Sequence, residues 1–275
     1  MVMRTEVITS AQNPKIKMLL ALGEKSRTRR ENALFIVEGR KEIRHCLEAG
    51  YIAKAFFICR DIISDKDLDS IIRLCNDKSV IYEVPQVIYS KIAYREGTEG
   101  IIAEVEMKDK TLSDIHLREN PLLVVLESVE KPGNLGAVLR TADAADADAV
   151  IICDPLTDLY NPNLIRASLG SVFTRQVVTA TSGEAIKWLK DNNIKIYTAQ
   201  LQDSNWYYDT DMKCGMALVM GTEHEGLSQL WRVHADAHVK IPMLGKMDSL
   251  NVSVSSAILM FEAVRQRNSE KQTLK

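Results

Sequence analysis

The chain has 275 residues, with 35 Lys and Arg against 37 Asp and Glu, a formal net charge of −2. That length allows one large domain or two small ones with a substantial core, and 46% hydrophobic with 26% charged content excludes disordered and collagen-like classes. Taken only as a sum, a net charge near zero argues against a nucleic-acid partner, because phosphate binding needs clustered Lys and Arg, but a sum does not report how the charge is distributed.

In chain order, residues 13–22 read as a helix, 34–37 as a strand, 40–49 as a helix and 55–59 as a strand. A helix over 67–76, a strand over 80–84, a helix over 85–92 and a strand over 101–105 follow. Residues 106–120 turn polar and charged and run up to Pro121, so 107–120 is read as a linker between domains at 1–106 and 121–275. The second domain opens on an unbroken apolar run, 122–126, of the kind buried on both faces of a parallel sheet. Strands are predicted at 150–153, 176–179, 194–199, 217–220 and 239–242, and helices at 135–145, 164–169, 184–192, 227–232 and 252–267. Alternation of strands with helices predicts a mostly parallel sheet covered on both faces, in a chain of two α/β domains.

The charge is unevenly spread. Residues 1–60 carry a balance of +6, while 61–106 carry −5. The densest basic cluster is Lys25, Arg27, Arg29 and Arg30. It is either a solvated loop or helix face or a set of phosphate contacts, for which arginine offers a planar donor fork. The five cysteines (Cys46, Cys59, Cys75, Cys153, Cys214) are scattered without a C-x-x-C pair, which fits a reducing compartment and gives no metal-ligand spacing. The first residues lack the apolar run of a signal peptide, so the expected location is cytoplasmic.

Three segments of the second domain stand out. The first runs from Lys131 to Ala144 and follows a buried strand into a helix, where open α/β sheets present backbone N–H groups to ligands. It lacks both the G-x-G-x-x-G and the P-loop patterns. Asn134 there reads equally as a helix N-cap, and Arg140 as a surface arginine. The second runs from Ala217 to Ser228, again a strand entering a glycine-bracketed turn, with Glu223, His224 and Glu225 between Gly221 and Gly226. The third, from Ile241 to Ile258, alternates Ser and Asn with aliphatics before a helix, and holds more capping candidates than one helix start requires.

Taken together, Asn134-x-Gly-x-x-x-Arg140-Thr, Gly221-x-Glu223-x-x-Gly226-Leu227 and Ile241-Pro242-Met243 leading to Ser249-Leu250-Asn251-Val252-Ser253 resemble the three signature motifs of the SpoU/TrmH-type RNA 2′-O-methyltransferases of the SPOUT class. The first domain is similar to the substrate-binding domain often fused in front of them. It shares Ile8-Thr9-Ser10 with Asn13-Pro14 and Lys17, the arginine-rich stretch, Leu34 to Gly39, and Gly100 to Ala103.

The resemblance implies a C-terminal α/β domain with a deep trefoil knot and a smaller, ribosomal-protein-like α/β domain before it. It implies S-adenosylmethionine held by Met220, Gly221, Ile241 and Leu250, with Gly221 lacking a Cβ so that the adenosyl group approaches the backbone. It also implies methyl transfer to a ribose 2′-hydroxyl, with Arg140, Asn134, Glu223, Ser249 and Asn251 as the polar site residues. A guanidinium holds its proton and is a poor general base, so Arg140 is read as stabilising charge on the reacting oxygen. The implied partners are RNA, bound through Lys25, Arg27, Arg29 and Arg30, and a second copy of the chain in a homodimer, with no metal and no membrane. The two-domain form leans towards ribosomal RNA, with transfer RNA as the alternative substrate. A non-catalytic RNA-binding protein of the same fold and an ordinary nucleotide-binding α/β enzyme are the competing classes.

Overall fold

The computed structural model describes residues 3–75, 79–94, 99–222 and 225–273. They form two compact units: Met1–Asp109 with Asp158–Thr174, and Lys110–Thr157 with Arg175–Lys275.

The first unit starts with β1 (Arg4–Val7), α1 (Pro14–Glu24), α2 (Ser26–Asn32), β2 (Leu34–Glu38), α3 (Arg40–Glu48) and β3 (Ala53–Ile58). It continues with α4 (Asp65–Ile72), β4 (Val80–Glu83), α5 (Gln86–Ile92) and β5 (Ile101–Glu106). The five strands form one sheet in the order β1-β4-β3-β5-β2. β1, β4 and β3 pair in parallel, whereas β5 runs antiparallel to both β3 and β2, so the sheet is mixed. Helix α1 begins where Asn13 Oδ1 accepts from the Lys15 N–H, with Pro14 at the first helical position, where a missing N–H costs nothing. Its Ile16, Leu19 and Leu22 then bury one stripe against Ile36, Phe57 and Ile102 of the sheet.

The second unit adds β6 (Leu122–Glu127), α6 (Pro132–Ala144) and β7 (Ala149–Cys153). The chain then contributes α7 (Pro162–Ala167) and α8 (Ser171–Thr174) to the first unit. There Phe35 of β2 lies with its ring centroid 4.4 Å from Tyr160 and 6.1 Å from Phe173. The segment 158–174 is thus second-domain in sequence and first-unit in space. Back in the second unit come β8 (Gln176–Ala180), α9 (Ser182–Asp191), β9 (Lys195–Ala199) and β10 (Asn205–Trp206). β11 (Met216–Met220), α10 (Gln229–His234), β12 (Ala237–Lys240) and α11 (Val252–Thr273) complete it.

Its seven strands lie in the order β10-β12-β9-β11-β6-β7-β8, every pair parallel. Every residue of β6, β7 and β11 is buried, which accounts for the continuous apolar runs they carry, with Glu127 at the end of β6 the one charged residue among them. The stretch read as a linker is partly structured: from Lys110 onward it belongs to the second unit, a 3₁₀ turn spans Leu112–Asp114, and Ile115 joins the core with Leu123, Ile151 and Trp231. Among the described residues no helix is long and apolar enough to cross a membrane, and no group of three or more His, Cys, Asp or Glu is placed to hold a metal ion.

Candidate active site

β12, β9 and β11 are neighbours in a parallel sheet, so their C-terminal ends release three loops side by side. In open α/β sheets this is where ligands bind. Gln200 and Gln202 after β9, Thr222 and Gly226 after β11, and Met243 and Asp248 after β12 are among the residues that line one cavity of about 340 Å³. All four residues assigned to the cofactor, Met220, Gly221, Ile241 and Leu250, are in its wall, and so is Ser249. Leu227, Val239 and Leu259 supply further apolar surface.

The turn after β11 is built on close backbone packing. Thr222 and Gly226 exchange both N–H···O bonds at 3.1 Å, and Gly226 has φ +69°, a region open to glycine. A Cβ placed on Gly221 would lie 2.2 Å from the Gly226 carbonyl carbon and oxygen. The need for glycine at 221 therefore differs from the expected one: the space its missing side chain leaves is filled by the chain's own backbone, whatever the ligand requires.

The first and third motifs meet directly. Asn251 Nδ2 donates to Asn134 Oδ1 at 3.2 Å across 117 residues of sequence. Asn251 Oδ1 accepts from the Ser253 N–H (2.9 Å) and Oγ (2.6 Å), fixing the first turn of α11. Asn251 thus caps the first turn of α11 through its Oδ1 while its Nδ2 reaches across to Asn134. Asn134 is not an N-cap, because α6 starts at Pro132 and Lys131 occupies that position. Ser249 Oγ donates to Asp248 Oδ1 at 3.4 Å. Arg140 is exposed on α6, two residues past the buried Val138. It sits on the same helix as Asn134 but does not line the cavity. Glu223 and His224 lie outside the described residues.

Beneath the second motif is a polar network the sequence did not reveal. Glu127, at the end of β6, accepts from the Ser228 N–H at 2.8 Å and from Ser182 Oγ at 3.3 Å. Ser182 Oγ also reaches Asp154 Oδ2 at 2.6 Å and accepts from the Trp231 indole at 3.0 Å. The start of α10 is thereby tied to the sheet. Burial, with the nearby Asp154 and Glu127 charges, pushes the Cys153 thiol far up, so it stays protonated and inert.

Two more cavity residues escaped the motif reading. Gln200 Oε1 and Arg232 Nε are buried and, among the described residues, have no hydrogen-bond partner, and both side chains belong to the cavity wall. A lone Gln or Arg outside a motif carries no sequence signal. A cavity lined by both apolar and polar side chains, with two orphaned polar atoms, one acceptor and one donor, suits a ligand with an apolar body and polar edges. S-adenosylmethionine, with a purine, a sulfonium-bearing chain and an amino-acid tail, fits that description.

The basic cluster of the first unit divides. Lys25, Arg27 and Arg30 are exposed, Arg27 with Glu31 Oε1 at 2.6 Å. Arg29 is not available to RNA. Its side chain is 2% exposed, pairs with Asp158 at 2.7 Å and donates to the Leu22 carbonyl at 2.6 Å. It faces inward from α2 because the buried carboxylate and the end of α1 together satisfy its donors.

The profile of the SpoU rRNA Methylase family matches residues 121–261, and that of the MRM3-like substrate binding domain matches 13–103. The 23S rRNA (guanosine(2553)-2'-O)-methyltransferase RlmP of Bacillus subtilis is 28% identical over 254 residues, covering 92% of this chain and 97% of the relative. The 23S rRNA (guanosine-2'-O-)-methyltransferase RlmB of Salmonella typhi is 38% identical over 175 residues, 62% of this chain and 72% of the relative. Among solved structures, the AdoMet-bound rRNA methyltransferase from Sinorhizobium meliloti superimposes with a TM-score of 0.87 at 30% identity, covering 95% of this chain and 98% of that one. With its family profile matched from β6 into α11, over half of its length, the chain belongs to the SpoU rRNA methylase family.

Proposed function

We propose that the chain transfers the methyl group of S-adenosylmethionine to a ribose 2′-hydroxyl of ribosomal RNA. One observation carries the reading: the loops after β9, β11 and β12 close around a single cavity, while Asn251 joins the third motif to Asn134 of the first. When bound, S-adenosylmethionine supplies an electrophilic methyl on its sulfonium, and the chain must present an oxygen to it in line and deal with that oxygen's proton.

Met220, Gly221, Ile241 and Leu250 hold the cofactor, and Gln200 and Arg232 satisfy its polar edges. Arg140 donates N–H groups to the reacting 2′-oxygen as negative charge develops on it, leaving the proton to water or a substrate phosphate. Asn134 and Asn251 orient the ribose and Arg140, with Ser249 and Glu223 completing the polar set. RNA is the acceptor because DNA has no 2′-hydroxyl.

The division of labour follows the units. The first, whose mixed five-stranded sheet agrees with a ribosomal-protein-like substrate domain, binds RNA through Lys25, Arg27 and Arg30. The second is catalytic and carries the trefoil knot. In support of the knot, the chain leaves β12 on the far side of β9 and still returns as α11, packed against β11 and α6. A symmetric homodimer agrees with the apolar stripe on the outer face of α11, where Val254 and Phe261, one heptad apart, are 46% and 47% exposed. Ribosomal rather than transfer RNA is favoured because RlmP, a 23S rRNA enzyme, aligns over 92% of the chain. The test is to map 2′-O-methyl positions in total RNA from cells with and without the gene. A site lost from ribosomal RNA supports the reading, and one lost only from transfer RNA moves the substrate there.

A further inference from the structure

At the edge of the second unit's sheet, β10 pairs with β12 so that Trp206 stands opposite Lys240. A 3₁₀ turn, Tyr207–Asp209, follows at once. Trp206 is 40% exposed and Tyr208 46%. Their ring planes lie within 17° of one another with centroids 6.3 Å apart, and Tyr207 meets Tyr208 edge-on at 5.1 Å. The Lys240 ammonium sits 4.6 Å from the Trp206 ring centroid.

This shelf is held in place. Thr210 Oγ1 donates to the Trp206 carbonyl at 3.1 Å, and Gln266 of α11 donates to the Thr210 carbonyl at 3.0 Å. Lys240 is also part of the cofactor cavity wall, so the shelf and the cavity share a residue. Exposed aromatic rings on an edge strand are an aggregation hazard that a fold normally hides. Two exposed, near-parallel aromatic rings with a cation held over one of them match an unpaired base and its phosphate.

We infer that Trp206 and Tyr208, with Lys240 beside them, form a stacking subsite for an unpaired RNA base flanking the methylated nucleotide. The inference rests on the RNA-methyltransferase reading above and specifies how the target is presented. A base inside a duplex has both faces covered, so the shelf selects a single-stranded or looped segment. Holding a flanking base there splays the strand beside the cavity and leaves the target ribose accessible.

The test compares the wild-type chain with Trp206→Phe and Trp206→Ala, probed with a single-stranded oligoribonucleotide of mixed sequence. The other indoles are Trp188 and the buried Trp231, so oligonucleotide binding should quench fluorescence in the wild type and much less in Trp206→Phe. In steady-state assays Trp206→Ala should raise KM for RNA about 10-fold, the size expected for loss of one stacked base, with kcat at saturating RNA and S-adenosylmethionine affinity within about two-fold. Trp206→Phe should restore most of the KM. Equal quenching in wild type and Trp206→Phe, or an unchanged KM in Trp206→Ala, would overturn the subsite. So would dissociation of a dimer in Trp206→Ala, which would make the shelf a subunit contact. If the wild type methylates no RNA yet the oligonucleotide quenches Trp206, the subsite stands and the proposed activity falls.

Discussion

Helices α2 and α6 each carry an arginine that the sequence offers to RNA, and their surroundings are opposite. Arg29 is enclosed, its charge met by Asp158 and its remaining donors by the end of α1. Arg140 stands on an exposed helix face. A cation fully met by its own protein has nothing left for a ligand. One left in solvent on a site helix keeps its donors for charge that appears only during a reaction. The same residue type thus serves the fold in one region and, in the function we propose, the chemistry in the other, and burial separates the two roles.

The largest effect expected from breaking this contrast is on stability. Arg29→Ala leaves the mostly buried Asp158 carboxylate unpaired and should cost about 3–5 kcal/mol, read as a lowered denaturant midpoint of the full chain. RNA affinity measured under conditions where the variant remains folded should be nearly unchanged; a large loss would restore Arg29 as a contact. Arg140→Ala should do the reverse. We expect kcat to fall about 10²–10³-fold, with S-adenosylmethionine affinity within two-fold and stability within about 0.5 kcal/mol of wild type. Near-full turnover on its RNA would remove Arg140 from the site.

A smaller effect belongs to the exposed remainder of α2 and its cap. Replacing Lys25, Arg27 and Arg30 together by Ala should flatten the salt dependence of RNA binding by about 0.7 in log–log slope for each phosphate no longer neutralised, leaving kcat at saturation intact. The smallest is at a solvent-facing ion pair. Hydrogen bonds from Arg118, then Arg175, hold the Asp146 carboxyl below its ordinary range. A depressed folded-state value contributes stability above the unfolded-state value that is lost as pH falls through the folded one. Asp146→Asn, which tolerates the left-handed φ of 51° there, should therefore lower stability slightly near neutrality and make the acid limb of the stability–pH curve shallower.

What the sequence disclosed follows the same division between local and distant causes. β6, β7 and β11 are legible because a strand buried on both faces writes itself as a continuous apolar run. β1 and β10 are not, since four mostly exposed residues and two exposed residues carry no periodicity. The motif residues of the cavity were readable through family resemblance, and the structure brings Met220, Gly221, Ile241, Leu250 and Ser249 into one wall. Gln200 and Arg232 were not, because each is a single polar residue whose importance lies in what surrounds it. Arg29 was misread for a related reason: sequence reports its charge, whereas its burial depends on an aspartate 129 positions away.

The return of 158–174 to the first unit has a consequence for how the protein is made. Phe35 and Tyr51 are almost fully covered, and their aromatic neighbours include Tyr160 and Phe173. On the ribosome the first unit emerges well before those residues do. Until β6, α6 and β7 have been synthesised and α8 follows them, this part of the nascent chain carries an uncovered aromatic face and an Arg29 without its carboxylate. The first unit is thus finished only after translation of the second is well under way, and chaperone engagement of the nascent chain is expected to concentrate in that interval.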